Sequence, residues 1–80
     1  MMAAFVFIQV GGLGEWSEVR ALHNALHAIA GVQTVHFVAG PTDVVAFVEG
    51  ADQTALMEAI GKIRGTKGVA STDTRIVSPV

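Results

Sequence analysis

The feature that most constrains the fold is a very short connection between two strand-like runs in the middle of the chain. The runs are Thr34–Ala39 and the valine-rich Asp43–Glu49, and only Gly40-Pro41-Thr42 separates them. Parallel neighbouring strands need a crossover of about a dozen residues or more, whereas Pro41 fixes the φ angle that a tight turn requires. We therefore predict that the two strands form an antiparallel hairpin.

One helix is predicted before this hairpin and one after it. In Glu15–Ile29 the apolar residues recur at spacings of three and four, as they do on one face of a helix, and Gly31 then provides a stop signal. The second helix is predicted to run from an N-cap at Asp52 to about Arg64. The apolar stripes are Val19, Leu22, Leu26 and Ile29 in the first helix and Leu56, Ile60 and Ile63 in the second.

Two further strands complete the pattern. Ala3–Val10 is rich in β-branched and aromatic residues, and Val69–Val77 precedes a short tail, Ser78-Pro79-Val80. The order β-α-β-β-α-β is the ferredoxin-like plan, and right-handed crossovers place the first and third strands at the centre of one sheet. We predict an α+β fold in a single domain over residues 1–80, with a four-stranded antiparallel sheet and both helices on one face.

The other face of this sheet is predicted to be apolar at its centre. Phe5 and Phe7 share one direction on the first strand, and Val45 and Phe47 share one on the third. Leaving a large apolar side chain in water forfeits about 1.5–3 kcal/mol, and a chain of 80 residues has only a small core of its own. We therefore expect a second copy to cover this face, in a homodimer with a dimeric α/β-barrel-like assembly or in a larger ring.

Composition excludes several classes of function. The chain has no cysteine, which rules out disulfides and cysteine-ligated zinc, and its formal net charge of -2 argues against nucleic-acid binding. The apolar run Ala3–Ile8 has no basic region ahead of it and is far shorter than a membrane span of roughly 20 residues. We expect a cytoplasmic protein with no cofactor and no direct contact with nucleic acid or membrane.

Polar residues on two strands are candidate ligand contacts. Asp43 opens an otherwise apolar strand, where it either caps the turn by accepting backbone N–H groups or offers a fixed anion to the ammonium group of a zwitterion. Thr72 and Thr74 share a side-chain direction, which suits hydrogen bonding to a small polar ligand, although threonine is also a common strand residue. The residues alone leave these alternatives open.

Other chemistry-bearing residues fit structural roles. His23 and His27 have the i, i+4 spacing of a metal pair, but a zinc site needs a third ligand, so we place them on a solvated helix flank. Trp16 is expected to anchor packing at the start of the first helix. The segment Gly11–Gly14 lacks the spacing of a phosphate-binding loop. We predict no catalytic and no metal-binding residues.

Two spaced patterns together span most of the chain. The first is Gly31-Val32-x-x-Val35, followed by Gly40-x-x-Asp43 and a valine-rich strand. The second is Ile60-x-x-Ile63-x-x-x-x-Gly68-Val69-x-x-Thr72-x-Thr74-x-Ile76-Val77. In this order and spacing they resemble the C-terminal effector-binding domain of the Lrp/AsnC transcription regulators, which is called the RAM domain.

The resemblance implies a β-α-β-β-α-β fold, sheet-to-sheet dimers that assemble into octamers or decamers, and amino-acid effectors bound between neighbouring dimers. In such a site the turn and aspartate of one subunit meet the threonines of a neighbour. By motif match, the ligand contacts implied here are Gly40, Thr42, Asp43, Thr72 and Thr74. Because the first strand begins near Ala3, we expect a stand-alone form without the helix-turn-helix domain of the full regulators.

The sequence thus predicts a non-catalytic, amino-acid-binding regulatory module that self-assembles and modulates full-length Lrp/AsnC-type regulators. One alternative is a small dimeric ferredoxin-like enzyme, similar to the antibiotic-biosynthesis monooxygenases, that recruits Trp16, His23 or His36 into a cavity. The sequence does not assign His36 to a face of the sheet. A second alternative is a purely structural oligomerisation module.

Overall fold

The computed structural model describes residues 1–40 and 42–78. The elements are β1 (Met2–Val10), α1 (Trp16–His27), β2 (Val32–Phe37), β3 (Val44–Gly50), α2 (Gln53–Arg64) and β4 (Val69–Ile76). The predicted order β-α-β-β-α-β is confirmed, with small shifts of the boundaries. The predicted φ restriction at Pro41 and the end of the tail, Pro79 and Val80, lie outside the described residues.

The strands form one antiparallel sheet in the order β2-β3-β1-β4. The predicted hairpin of the second and third strands is confirmed, and so is the central position of the first and third. Within one chain, β2 and β4 are therefore the edge strands. Within the described ranges, neither helix is long and apolar enough to cross a membrane.

The hydrophobic core fills the space between the sheet and the helices. Because successive side chains of a strand point to opposite faces, the alternating residues Ala4, Val6 and Ile8 of β1 are buried. The strand residues of the core are Ala4, Val6, Ile8, Val32, Val35, Val44, Ala46 and Val48, and the helices add Leu22, Leu26, Leu56, Ala59, Ile60 and Ile63. The predicted stripes of both helices therefore face the sheet, with Val19 and Ile29 half-buried at the margin of α1.

The β2 strand departs from strict alternation. Its register against β3 shifts just after Val32, where Gln33 is the extra residue. One inserted residue of this kind lets Val32 and Val35 both face the core although they are three positions apart. The shift also settles the position of His36, which is paired with Val45 and exposed on the sheet face away from the helices.

Two contacts define the start of α2 and the connection from α1 to β2. The Asp52 carboxylate accepts a hydrogen bond from the backbone N–H of Ala55 at 2.9 Å, which confirms the predicted N-cap of α2. Gly31, between α1 and β2, has a φ of 100°. A Cβ atom at this position would lie 2.7 Å from the carbonyl oxygen of Glu49, so the close approach of the two backbones requires glycine.

Candidate functional site

The sheet face away from the helices has an apolar centre on β1 and β3. We call this centre the sheet patch and define it as Phe5, Phe7, Val45 and Phe47, which are paired across the two strands. The rings of Phe5 and Phe47 are 5.0 Å apart between centroids. Phe5 keeps 42% of its surface exposed, and the other three residues are half-buried. The described part of the chain therefore leaves the predicted apolar face uncovered.

Polar side chains border the sheet patch on the edge strand β4. The Asp73 carboxylate accepts hydrogen bonds from Nε and Nη2 of Arg75, at 3.1 and 2.9 Å. The guanidinium carbon of Arg75 also lies 5.8 Å from the centroid of the Phe7 ring, within range of a cation–π interaction. Hydrogen bonding to Asp73 raises the pKa of Arg75. The apolar centre of this face is thus bordered on β4 by a charged pair.

Asp43 lies immediately before β3 and is joined to β1 by two hydrogen bonds. Its backbone N–H donates to the carbonyl oxygen of Ile8 at 3.1 Å. Its carboxylate Oδ2 accepts a hydrogen bond from the backbone N–H of Val10, also at 3.1 Å. Asp43 therefore does accept a backbone N–H, as the structural interpretation of the sequence proposed, but the donor belongs to a neighbouring strand and not to the turn.

Gly40 and Thr42 are the other residues of this turn that the resemblance implicates. Gly40 has a φ of 136°, and among the described residues, its chain neighbours aside, no atom lies within 4 Å of the place where its side chain would stand. Thr42 is half-buried beside Asp43. The other described residues therefore leave space beside the backbone of Gly40.

Thr72 and Thr74 are paired with Ile8 and Val6 on β1, so both point to the helix-covered face of the sheet. The predicted common direction of the two threonines is confirmed. Thr72 Oγ1 accepts a hydrogen bond from Nε of Arg64 at 3.1 Å. Thr74 Oγ1 is buried and has no hydrogen-bond partner among the described residues. A buried hydroxyl without a partner costs about 1–3 kcal/mol.

The five implied ligand contacts form two separate groups in one chain. One group lies in the β2–β3 turn and the other on β4, and β1 runs between β3 and β4 in the sheet. Across residues 1–40 and 42–78, no hydrogen bond joins Asp43 to either threonine. This separation is compatible with a site that takes its turn from one subunit and its threonines from another.

Arg64 is a candidate binding residue that the sequence reasoning missed. It stands at the end of α2, where its bond to Thr72 positions the guanidinium beside the edge of β4. A cleft of about 310 Å³ opens there, lined by Arg64, Val69, Ala70, Ser71 and Thr72. The available signal was a basic residue eight positions before a candidate threonine, at the end of a helix that packs on the same strand.

A mainly apolar cavity of about 230 Å³ lies between α1 and the connection from α2 to β4. It is lined by Leu13, Glu18, Ala21, Leu22, Ala25, Thr66 and Lys67. None of the implied ligand contacts lines this cavity, so it is separate from the candidate site.

The residues that an enzyme would recruit do not converge. The prediction that Trp16 anchors packing is wrong, because its side chain is 81% exposed; six positions before Leu22, it is rotated about 240° from the buried stripe. The ring of His23 is stacked on that of Phe37, with 6.0 Å between the centroids, whereas His36 lies on the opposite face of the sheet. The ring of His27 is 4.6 Å from that of His23. The described residues contain no group of three or more potential metal ligands.

Comparison with known protein families identifies the domain. The family model of the Lrp/AsnC ligand binding domain matches residues 3–79, which is nearly the whole chain. The chain belongs to the Lrp/AsnC ligand-binding domain family. The predicted resemblance is therefore confirmed, and a domain of this family is a regulatory one.

Solved structures share the fold of this domain. A protein from Thermus thermophilus is 32% identical, with a TM-score of 0.83, and the match covers 100% of this chain and 96% of that chain. A hypothetical protein from Pyrococcus horikoshii is 25% identical, with a TM-score of 0.82 and coverage of 100% and 93%. An AsnC family transcriptional regulator from Agrobacterium tumefaciens shares the fold, at 11% identity and a TM-score of 0.85, with coverage of 99% and 51%.

This Lrp/AsnC domain thus has similar structures of two lengths. It spans nearly all of the Thermus and Pyrococcus proteins but about half of the Agrobacterium regulator. A search of curated proteins found no significant match.

Proposed function

We propose that this domain is a non-catalytic regulatory module that self-assembles through the sheet patch, binds a free amino acid and modulates Lrp/AsnC-type transcription regulators. The observation that carries the proposal is the uncovered sheet patch on a domain of this ligand-binding family. The proposal has three steps, which are self-association, ligand binding and action on a regulator.

Self-association follows from the chemistry of the sheet patch. A fully exposed side chain of this kind gains about 1.5–3 kcal/mol when it is removed from water, and the side chains of the sheet patch gain the part of this that corresponds to their remaining exposed surface. A second copy related by a two-fold axis presents the same apolar centre. The polar border suits such an interface as well, because Asp73 and Arg75 carry opposite charges and form a rim outside the apolar centre.

Ligand binding is assigned to the turn around Asp43 and to the threonines of β4. An ionised carboxylate has about four lone-pair sites, and the bond to Val10 uses one of them. The rest of the carboxylate is suited to the ammonium group of an amino acid. The threonines of a neighbouring subunit complete the site. Thr72 lines the open cleft at β4, and Thr74, whose hydroxyl is buried without a partner among the described residues of one chain, contributes once that hydroxyl is uncovered in the assembly. Assembly of dimers into an octamer or decamer creates this contact.

Action on a regulator follows from the shared domain. A full-length Lrp/AsnC regulator contains a domain of the same family, so its sheet is a suitable partner for the sheet patch of this chain. A mixed assembly, which contains both this chain and the full-length regulator, has fewer DNA-binding subunits than an assembly of the regulator alone. The amino acid shifts the equilibrium between the two kinds of assembly to the extent that it binds one more tightly than the other.

Two measurements on the purified protein test the proposal. Sedimentation at micromolar concentration is expected to show an assembly of at least twice the chain mass of 8.3 kDa. Calorimetry of that assembly against the twenty amino acids is expected to show saturable binding of at least one. A stable monomer overturns the self-assembly step. An assembly that binds none of the twenty overturns ligand sensing and supports the purely structural oligomerisation module.

A further inference from the structure

We propose that Arg64 binds the carboxylate group of the amino acid at the outer edge of β4. This inference rests on the proposed function for the identity of the ligand, but it assigns a role to a residue outside the five implied contacts. It also assigns the two charged ends of the ligand to different subunits.

The guanidinium of Arg64 is both oriented and available. Arginine has five N–H donors, and the bond from Nε to Thr72 Oγ1 uses one of them. That bond holds the side chain against β4 and leaves the two terminal nitrogens as a fork of parallel donors. In residues 1–40 and 42–78, no acidic side chain lies within 4.0 Å of this guanidinium, since the one ion pair found there joins Asp73 to Arg75.

The edge of β4 supplies a further donor beside this fork. The N–H of Val77 donates to the carbonyl oxygen of Ala3 on β1. Backbone groups of an antiparallel strand alternate between the two sides, so the N–H of Thr72, five positions away, points out of the sheet. Because β4 is an edge strand, no other strand of the described chain pairs with it on this side.

The cleft between Arg64 and β4 is rich in donors and carries a single charge. Of the residues that line it, Arg64 is the one charged group, and Ser71 and Thr72 add hydroxyls. A carboxylate fits a guanidinium fork through two parallel hydrogen bonds. One positive charge balances one carboxylate, whereas a phosphate dianion leaves excess negative charge. The cleft is therefore assigned to a carboxylate.

This assignment explains why Asp43 and Arg64 lie on different sides of β1. An amino acid is a zwitterion, and its ammonium and carboxylate groups need opposite partners. The Asp43 carboxylate of one copy binds the ammonium group, and the Arg64 guanidinium of a neighbouring copy binds the carboxylate group. Ligand binding then joins two subunits, which links amino-acid concentration to assembly.

The test compares an amino acid with its α-carboxamide, which lacks the negative charge. The ligand is the amino acid that binds the wild-type assembly most tightly, and calorimetry measures its binding and that of its amide. The proteins compared are the wild type, Arg64→Gln, Arg64→Lys and the control Arg20→Gln, which alters an exposed arginine on α1. We expect Arg64→Gln to weaken binding of the amino acid by about tenfold or more and to leave binding of the amide nearly unchanged. Arg64→Lys keeps the charge without the fork, so its affinity for the amino acid is expected to lie between those of the wild type and Arg64→Gln. The affinity of Arg20→Gln is expected to match that of the wild type.

Equal losses for the amino acid and its amide, or no loss with either, overturn the assignment while the proposed function stands. If no amino acid binds the wild type, the proposed function fails, and sodium acetate becomes the probe. The NMR signal of the Nε–Hε group of Arg64 is identified by its absence in Arg64→Gln. A saturable shift of this signal with acetate supports a carboxylate site, and an unshifted signal overturns the assignment. Inorganic phosphate is titrated in parallel. If the same signal shifts at a lower concentration of phosphate than of acetate, the choice of a carboxylate is overturned.

Discussion

The carboxylate of Asp43 accepts a hydrogen bond from the backbone N–H of Val10, which lies 33 residues earlier in the chain. This bond joins the start of β3 to the end of β1 and extends the ladder of the two central strands. The residue that we assign to the ammonium group of the ligand therefore also holds the sheet together. Substitutions of Asp43 must separate these two roles.

We expect Asp43→Ala to lower the free energy of unfolding by about 1–3 kcal/mol, because the half-buried N–H of Val10 loses its acceptor. Asp43→Asn keeps an oxygen acceptor and is expected to cost less, but it removes the charge that attracts an ammonium group. Urea denaturation measures the first effect and calorimetry the second. If Asp43→Asn binds the amino acid as tightly as the wild type, the charge of Asp43 is not used for the ligand.

Phe5→Glu is expected to dissociate the assembly into monomers of 8.3 kDa, because it places a charge in the centre of the sheet patch. The control is Met57→Glu on α2, since the two original side chains are similarly exposed, at 42% for Phe5 and 48% for Met57. Analytical ultracentrifugation distinguishes the variants, and circular dichroism verifies that both remain folded. Dissociation by Met57→Glu, with Phe5→Glu still assembled, would place the interface on the helices.

Two glycine substitutions are expected to have opposite signs. Gly31→Ala forces a side chain into a conformation with positive φ and against the Glu49 carbonyl oxygen, so we expect a loss of more than about 1 kcal/mol. Gly61→Ala lies within α2, where no described residue outside the helix's own backbone stands within 4 Å of the new atom, and is expected to gain about 0.5–1 kcal/mol. Thermal denaturation of both variants, in the Phe5→Glu background, provides the measurement. A stable Gly31→Ala variant would contradict the close approach of the two backbones.

The hydroxyl of Thr74 is expected to matter in the assembly more than in the single chain. In a Phe5→Glu monomer, Thr74→Val removes a buried hydroxyl that lacks a partner in the described chain, so stability is expected to rise or stay unchanged. In the wild-type assembly the same change is expected to weaken amino-acid binding. Denaturation of the first protein and calorimetry of the second give the comparison. Unchanged binding would remove Thr74 from the site.

The topology was predictable because its signals are local. The short connection at Gly40-Pro41-Thr42 dictated an antiparallel hairpin, and regular alternation on β1 separated the core side from the sheet patch. The position of His36 was not predictable, because the inserted Gln33 reverses the alternation of β2. The exposure of Trp16 was predictable, since its position six residues before Leu22 places it away from the apolar stripe of α1, but the packing role was assigned from its apolar character alone.

The candidate site was predictable only in part. Strand parity placed Thr72 and Thr74 on one side of β4, but not that this side faces the helices, where Arg64 holds Thr72. The acceptor role of Asp43 was one of two alternatives, and its donor was expected in the turn and not at Val10 on β1. In each case the missing partner belongs to another element of secondary structure, and the periodicity of one element does not specify its partners in another.

By itself, the sequence determined the order of the elements, the antiparallel pairing and the apolar centre of the open face, because turn length and side-chain periodicity are properties of neighbouring residues. The tertiary structure alone decided that Asp43 binds Val10 and that Arg64 binds Thr72. These contacts exist only after the strands pair and α2 packs on β4, since residues far apart in the chain are brought within hydrogen-bond distance by the fold as a whole.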